Sequence, residues 1–369
     1  MAITDELKYW IGFSRIPGIG RVRIFQLKEH FASLQDAWKA PEGALKRAGL
    51  DSRSIDALLP LRTKISLDAE IENLERYKVR ALTCEDTSYP PRLKEIYDYP
   101  PVLYIRGNIM PQDETCLAVV GTRRPTIYGR QVTEEIVADL ARSNITIVSG
   151  LARGIDSITH RTTLDAGGKT IAVFASGLDI VYPAENAKLA QAIMEQGALV
   201  SEYPLGTRPK AERFPLRNRI MSGLSAGVLV IEAGEQSGAL ITALQAVEQN
   251  REVFAIPGSI LSPASKGTNR LILEGAKLVR NCSDVLEELN LSIVAPQQLE
   301  IKEFSPANDA ESAILKQLTH EPSHIDEICR RSGLTMPEAS STLAILELKG
   351  MVKQVGNMNY VLAHGVKTG

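Results

Sequence analysis

The residues from 208 to 219 concentrate positive charge in a chain whose formal net charge is only −2. This segment, the cationic loop, contains Phe214, Asn218 and a single acid, Glu212, among five cations: Arg208, Lys210, Arg213, Arg217 and Arg219. Cations interleaved with an aromatic ring are typical of grooves that follow single-stranded nucleic acid, where cations face phosphates and the ring stacks on a base. The same residues also suit a solvated loop with Phe214 in the core. On these residues alone both interpretations stay open.

Loops rich in glycine and hydroxyl residues follow several short apolar runs. They read GTRRPT (121–126), SGLARGID (149–156), SGLD (176–179), GEQSG (234–238) and PGS (257–259). Small residues before a helix expose backbone N–H groups, and the helix dipole adds to their attraction for an anion. The first loop lacks the G-x-G-x-x-G pattern of dinucleotide sites, and the chain has no P-loop. With the cationic loop, these segments indicate a phosphate-rich ligand.

Candidate catalytic groups are few. His160 is the only histidine of the central part of the chain, and it falls inside a predicted helix, where a structural role is expected. Four acids stand at predicted strand ends: Asp156, Asp179, Glu202 and Glu232. Helix capping explains Asp156 as well as acid–base chemistry does. Because no nucleophile–base pair is evident, the pattern favours binding over catalysis, without a cofactor or a metal.

The composition is that of an ordinary globular protein, with 44% hydrophobic and 23% charged residues. A nearly neutral chain excludes a histone-like binder, so a polyanion site must be confined to one region. The four cysteines, at positions 84, 116, 282 and 329, are far apart and indicate neither a zinc site nor a disulfide framework. The N-terminus lacks the pattern of a signal peptide, and no apolar run is long enough for a bilayer. We therefore expect a cytoplasmic protein.

Apolar periodicity and turn residues predict three domains and a linker. Residues 1–80 are expected to be helical, with PGIG (17–20) between two helices as in a helix-hairpin-helix unit. These glycines either let backbone amides approach a phosphate or make a plain turn. Residues 81–290 form the central domain, 291–310 are typical of a linker, and 311–369 predict three helices and a hairpin, which is a winged helix.

The central domain alternates apolar runs with amphipathic stretches. Alternation of this kind requires crossover connections and predicts a doubly wound, Rossmann-like α/β fold with a parallel sheet covered on both faces. In such a sheet ligands bind beyond the carboxyl ends of the strands, where the loops above all fall. The strand candidates are 117–120, 145–148, 170–174, 198–201, 227–231 and 252–256.

Six segments carry a resemblance to a known family. They are VGTRRPTIYGR (120–130), SGLARGID (149–156), SGLDIVYPAEN (176–186), SEYPLGTRPKAERFPLRNRIMSGLS (201–225), SGALITA (237–243) and IPGS (256–259). Over roughly residues 85–285 the chain resembles the DNA-processing A family (DprA, also called Smf). The F-P-x-R-N-R-x-x-x-G-L-S segment is the most specific. Thr159 and Ala239 depart from the family pattern, but they affect helix packing more than charge.

The resemblance implies a non-enzymatic protein that binds single-stranded DNA. Members of the family protect incoming DNA in natural transformation, displace single-strand binding protein, load a RecA-type recombinase and form homodimers. By resemblance, backbone groups of Gly121, Thr122, Ser149 and Gly150 would hold phosphates, and Phe214 would stack on a base. Asn218 would fix the loop or bind a phosphate. The counter-charges would be Arg123 or Arg124, Lys210, Arg217 and Arg219.

Two other functions compete with this one. Nucleotide phosphoribohydrolases resemble the central domain in loop placement, but their P-G-G-x-G-T loop has no equivalent at 232–238. A transcription regulator would act through the winged helix, whose last predicted helix carries Glu338 and Glu347 against Lys349. The negative charge of that helix is poorly suited to the phosphates that line a DNA major groove. We therefore expect the winged helix to bind a partner or to bind DNA weakly.

Overall fold

A computed structural model describes residues 6–108, 115–291, 308–319 and 322–362. The chain divides into two compact units, one holding the described residues up to 291 and the other those from 308 onward. The predicted linker, 291–310, lies almost entirely outside the described residues.

The first unit begins with a group of short helices. Side chains of Ser33, Asp51 and Ser66 accept hydrogen bonds from backbone amides and thereby start three of them. Their apolar faces share one core with the first strands of the sheet. The domain boundary expected at residue 80 stays a prediction. The helices are α1 (Leu7–Ser14), α2 (Arg21–His30), α3 (Leu34–Lys39), α4 (Glu42–Arg47), α5 (Ser52–Arg62) and α6 (Leu67–Arg76).

A nine-stranded sheet forms the centre of the described part of this unit, in the order β1-β2-β6-β5-β4-β3-β7-β8-β9. The strands from β6 to β9 in this order run parallel, while β2 pairs antiparallel with β6 and with β1. The strands are β1 (Arg80–Thr83), β2 (Val102–Gly107), β3 (Cys116–Val120), β4 (Thr146–Ser149), β5 (Thr170–Phe174), β6 (Ala198–Ser201), β7 (Gly227–Val230), β8 (Glu252–Ala255) and β9 (Lys277–Leu278).

Helices connect the parallel strands and cover both faces of the sheet. The order of successive strands reverses at β3, because β4, β5 and β6 extend the sheet on one side and β7, β8 and β9 on the other. This doubly wound arrangement confirms the predicted fold class, and the reversal creates a crevice where ligands bind in such sheets. The helices are α7 (Pro91–Lys94), α8 (Ile127–Arg142), α9 (Ile155–Asp165), α10 (Ala187–Gln196), α11 (Arg213–Leu224), α12 (Gly238–Glu248), α13 (Lys266–Leu273) and α14 (Cys282–Glu288).

The second unit is a winged helix, as the sequence predicts. It contains α15 (Asp309–Leu315), α16 (Ile325–Ser332), α17 (Met336–Leu348) and a sheet in the order β10 (Ser323–His324), β12 (Asn359–Leu362), β11 (Val352–Gln354). A capping box between Thr335 and Glu338 starts α17. The two-residue strand β10 was not predicted, because so short a segment has no periodicity to detect.

No helix among the described residues has the length and apolar character needed to cross a membrane. In the same parts of the chain, His, Cys, Asp and Glu side chains do not group into a set that could hold a metal ion. The four cysteines are free, and three of them are buried.

Candidate nucleic-acid interface

A pocket of about 540 Å³ opens beyond the carboxyl ends of β3 and β7, where the strand order reverses. Three segments form its walls: residues 120–123 at the end of β3 and just after it, residues 234–242 before and within α12, and one side of α11 from Phe214 to Met221. Ala152 and Asp156, from the loop after β4 and the start of α9, complete the lining. Glycine-rich loops that are far apart in the sequence therefore meet at one rim of the sheet.

Three of the predicted counter-charges are exposed, namely Arg123, Arg124 and Lys210. The guanidinium of Arg123 lies 5.7 Å from the centre of the Phe214 ring, at the edge of the pocket. Lys210 is near Glu212, with Nζ and Oε1 3.9 Å apart, and both side chains are largely exposed. Such a surface pair is weak. These cations are therefore available to a polyanion.

The Phe214 ring is half-buried and contacts two groups besides Arg123. Its centre lies 5.9 Å from the guanidinium of Arg217 below it and 5.7 Å from the ring of Tyr182 beside it. Tyr182 is 51% exposed. Sequence reasoning did not select Tyr182, because an isolated aromatic residue before a proline does not by itself indicate a surface ring.

Arg217 differs from its expected role as an exposed counter-charge. Arg217 is only 4% exposed. Its Nη1 donates hydrogen bonds to the carbonyl oxygens of Gly150, at 2.6 Å, and Val173, at 2.5 Å. Nε donates to Oδ1 of Asn218 at 3.1 Å. Burial lowers the pKa of Arg217 to about 10, while the nearby carboxylate of Asp156 opposes the shift. The guanidinium thus ties α11 to the ends of β4 and β5.

Arg219 also differs from expectation, because it does not lie on the rim of this pocket. It forms ion pairs with Glu202 and with Asp98, where Nε and Oδ2 are 3.0 Å apart, and its side chain is only 12% exposed. It lines a separate pocket of about 590 Å³ beside the start of α2 and residues 97–101. Its charge is therefore satisfied within the protein.

Two of the four residues whose backbone was predicted to hold phosphates, Thr122 and Gly150, use their amides within the protein. The Ser149 hydroxyl is fully buried and donates to the carbonyl oxygen of Val119 at 2.7 Å. The amide of Gly150 donates to Oδ2 of Asp156 at 3.2 Å, and that of Thr122 to the carbonyl oxygen of Glu232 at 2.8 Å. For Thr122 and Gly150 the structure differs from the expectation, because the loops use these amides to hold their own shape, whereas the Ser149 contact is made by its hydroxyl and not by its backbone.

Gly121 and Asn218 both line the pocket, in different ways. A Cβ at residue 121 would lie 2.6 Å from Cγ1 of Ile155, so the loop reaches its position because residue 121 has no side chain. Asn218 is 8% exposed and uses its carbonyl oxygen to accept from Arg217. Of its two expected roles, fixing the loop is therefore the one visible in the contacts.

Glu232 is a buried carboxylate that holds the loop after β3. Oε2 accepts from the amide of Thr126 at 2.9 Å, and Oε1 accepts from the Thr126 hydroxyl at 2.6 Å. Thr126 in turn caps α8, whose first turn stabilises a negative charge through the helix dipole. A Cβ at Gly129 would lie 2.7 Å from Oε2 of Glu232, so glycine allows this close approach. Glu232 therefore positions the segment that carries Arg123 and Arg124.

Asp156 holds the loop after β4 in a similar way. Its Oδ2 accepts from the amides of Gly150 and Ala152, both at 3.2 Å. Burial raises the pKa of the Asp156 carboxyl above its ordinary value, although Arg217 and the two amides oppose the shift. The accepted amides precede α9, and no side chain caps that helix, so the contacts show a third role, fixing the loop, rather than the expected capping or acid–base chemistry.

Comparison with known proteins identifies the family. The family model described as DNA recombination-mediator protein A matches residues 80–290. The chain belongs to this family. A second model, the DprA winged helix domain, matches residues 303–358. The resemblance that the motifs carry is confirmed, and the chain is thereby placed among the DNA-processing, recombination-mediator proteins.

Relatives in this family match the chain over most of its length. Protein Smf of Synechocystis sp. is 35% identical over 393 residues, which cover 97% of this chain and 99% of that protein. Protein Smf of Escherichia coli strain K12 is 39% identical over 317 residues, which cover 84% of each chain.

Two solved structures of family members are also similar. The X-ray structure of DNA processing protein A from Streptococcus pneumoniae has a TM-score of 0.66 and 38% identity, and covers 78% of this chain and 99% of its own. The structure of DNA processing protein A from Helicobacter pylori has a TM-score of 0.53 and 31% identity, and the match covers 58% of this chain and 96% of that chain. The Helicobacter pylori structure is described as giving insight into a single-stranded DNA binding mode.

Proposed function

We propose that this chain binds single-stranded DNA as a recombination mediator. The observation that carries the proposal is the position of the half-buried Phe214 ring, which lies at the mouth of the switch-point pocket with the exposed cation Arg123 beside it. An aromatic platform flanked by cations suits an unpaired strand, because a base in a duplex has no free face for stacking. The Helicobacter pylori relative, described by its single-stranded DNA binding mode, supports this assignment.

The residues divide into two groups by role. Arg123, Arg124 and Lys210 face the phosphates, and Phe214 stacks on a base. A second group positions the first without contacting DNA: Arg217, Asn218, Glu232, Asp156 and the backbone of residues 121–122 and 149–150. Arg219 belongs to neither group, because its charge is paired with Glu202 and Asp98.

Replacement of Phe214 tests the proposal. Phe214→Ala is expected to weaken binding to an oligothymidylate by about five- to 150-fold, because a base–aromatic stack is worth about 1–3 kcal/mol. The matched control is Leu216→Ala, which removes a half-exposed apolar side chain from the same helix outside the pocket. Equal affinity of the Phe214→Ala variant and the native chain, or equal affinity for duplex and single strand, would contradict the proposal.

We further propose that the bound strand is protected from nucleases and passed to a RecA-type recombinase in the cytoplasm, with displacement of single-strand binding protein, as in natural transformation. Membership of the family supports this role, because the matching family model is described as DNA recombination-mediator protein A. The test is strand exchange on DNA coated with single-strand binding protein. The native chain is expected to shorten the lag before exchange, and Phe214→Ala is expected to shorten it less at the same protein concentration. No effect of the native chain would refute the loading role.

We also propose that the chain forms a homodimer through the outer face of α12 and α13. Ile241, Leu244 and Val247 expose apolar surface there and line a groove of about 710 Å³. Contiguous exposed apolar surface of this kind marks protein contact sites. Sedimentation is expected to show a dimer that Leu244→Glu dissociates. Leu348→Glu, at an 89% exposed leucine of the winged helix, serves as the control and is expected to leave the dimer intact.

The proposed function requires no catalysis and no cofactor. The acids at the pocket, Asp156 and Glu232, use carboxylate oxygens to hold loops rather than to face a substrate. An assay for free base released from nucleoside monophosphates tests the alternative of a phosphoribohydrolase. We expect no release, and turnover by the native chain would restore the enzyme as the better interpretation.

A further inference from the structure

A second, smaller pocket lies on the other side of the Phe214 ring. It has a volume of about 80 Å³ and is lined by Arg123, Arg153, Tyr182, Pro183, Phe214 and the backbone of the loop after β4. Arg123 and Phe214 line both this pocket and the larger one at the switch point. The Phe214 ring therefore separates two adjoining cavities, and the surface suited to a strand extends past it.

Tyr182 forms the far wall of this second pocket. Its ring is 51% exposed, and its centre lies 5.7 Å from that of Phe214 with an angle of 51° between the ring planes. A base held between two rings needs a contact distance of about 3.5–4.0 Å on each side, which is a separation of about 7–8 Å. The gap is too small for a base, so the two rings offer separate outer faces rather than a sandwich.

The charges around Tyr182 indicate where a phosphate would pass. Arg153 is bound to Glu185 by two hydrogen bonds, from Nε at 2.8 Å and from Nη2 at 2.7 Å, so its charge is largely neutralised. Arg123 forms no ion pair with the described residues, and it is exposed beside the Phe214 ring, where it lines the same small pocket as Tyr182. A strand that crosses this surface is therefore attracted on the Arg123 side and not on the side of Glu185.

We propose that Tyr182 stacks on a second base of the same strand, next to the base that stacks on Phe214. The proposal rests on the proposed function and extends it, since it makes the site at least two bases long and bends the strand at the tilted rings. The ligand class is any unpaired nucleotide run, because every base has a face for stacking. Tyr182 is thereby a binding residue that its sequence position did not single out.

The test compares three variants with an oligothymidylate of fixed length. Tyr182→Ala is expected to weaken binding by about five- to 150-fold, while Tyr182→Phe keeps the ring and is expected to bind within about twofold of the native chain. The control is Tyr97→Ala, at an 85% exposed tyrosine that lines neither cavity, and it is expected to bind as the native chain does. Thermal melting of each variant checks that the fold is retained.

A second measurement counts the stacked bases directly. Abasic oligonucleotides of constant length carry none, one, two or three adjacent thymines, so that the number of phosphates stays the same. The affinity of the native chain is expected to rise with each base until the stacking faces are filled, and Tyr182→Ala is expected to remove one of these steps. Tyr182→Phe is expected to remove none.

The outcomes separate this inference from the function on which it rests. Unchanged binding of Tyr182→Ala, or the same number of affinity steps in that variant and in the native chain, would overturn the second stacking face alone. Failure of the native chain to bind any of the single strands would instead refute the proposed function.

Discussion

The guanidinium of Arg217 donates a 2.6 Å hydrogen bond to the carbonyl oxygen of Gly150, and a Cβ at residue 150 would overlap that guanidinium. A second bond to the carbonyl oxygen of Val173 joins two neighbouring strand ends to the same side chain. One arginine of the cationic loop is therefore part of the framework below the DNA-facing surface. Its contribution to binding is expected to act through the position of Phe214 and the loop after β4.

Replacement of Arg217 by lysine tests this framework role. The single ammonium group cannot reproduce the planar fork that reaches two carbonyl oxygens and Asn218. Loss of a hydrogen bond to a charged group is expected to lower the free energy of unfolding by about 1.5–3 kcal/mol, measured by chemical denaturation. The control is Arg208→Lys, at an exposed arginine of the same loop whose side chain has no ion pair among the described residues. Unchanged stability of Arg217→Lys would show that the buried bonds are unimportant.

The exposed Lys210 is expected to behave differently. Lys210→Ala should leave the melting temperature unchanged but weaken binding to single-stranded DNA. It should also reduce the slope of log affinity against log salt by about 0.7, the value for one phosphate contact on a single strand. Lys39→Ala, at an exposed lysine of α3, is the control. A slope that equals that of the native chain would remove Lys210 from the phosphate-contacting group.

Glu232 is expected to act on binding only through the loop that it holds. Glu232→Gln leaves one acceptor oxygen for the two donors of Thr126, so the free energy of unfolding should fall by about 1–3 kcal/mol. Affinity for single-stranded DNA should fall as well, because Arg123 and Arg124 lose their fixed position. Glu235→Gln, an exposed neighbour 3.6 Å from Lys266, is the matched control. Full affinity together with reduced stability would mean that the loop does not need this anchor.

His160 predicts a pH dependence of stability. Burial lowers its pKa to about 3, its Nδ1 lies 2.7 Å from the Thr170 hydroxyl, and Nε2 has no partner among the described residues. The Thr170 hydroxyl donates its hydrogen to the carbonyl oxygen of Ile147, so it accepts the hydrogen bond from Nδ1. Nδ1 therefore carries the ring proton, and Nε2 is unprotonated. Between pH 6.5 and 3 the unfolded chain binds a proton that the folded chain does not, so acid removes stability by up to about 1.4 kcal/mol per pH unit.

The variant His160→Asn isolates this effect, because it removes the titrating ring and leaves the other acids unchanged. The free energy of unfolding, measured from pH 6 to pH 4, should decline less steeply in the variant than in the native chain. Equal slopes would show that the buried imidazole is not the group responsible.

The order of helices and strands was predictable from the sequence because it depends on local signals. Apolar runs of four or five residues predicted the positions of six strands that the structure contains, β3 to β8. The runs are detectable because both faces of these strands are buried and almost every residue is apolar. The reversal of strand order at β3 could not be predicted from local signals, because strand order depends on which distant strands pair. The loops were nevertheless predicted to share one rim, since the carboxyl ends of parallel strands lie on the same edge of the sheet.

The cationic loop shows where local reasoning stopped. Residues 214–224 lie in α11, and successive residues of a helix turn by about 100°. Arg217 and Arg219 therefore point about 160° apart around the helix axis and cannot both face one groove. One side chain reaches the carbonyl oxygens at the ends of β4 and β5, and the other reaches Glu202 and Asp98. Charge and the family resemblance made both of them candidates, but Arg217 is part of the framework and the charge of Arg219 is paired with two acids.

The sequence by itself determined the fold class, the family and the edge of the sheet at which the site lies, because hydrophobic period, turn residues and motifs are properties of adjacent residues. Only the tertiary structure decided which cations are free, that Tyr182 lies beside Phe214, and that Glu232 holds the loop carrying Arg123. These relationships join residues that are 30 to more than 100 positions apart. Whether a charged group faces solvent or a buried carbonyl oxygen depends on those distant neighbours.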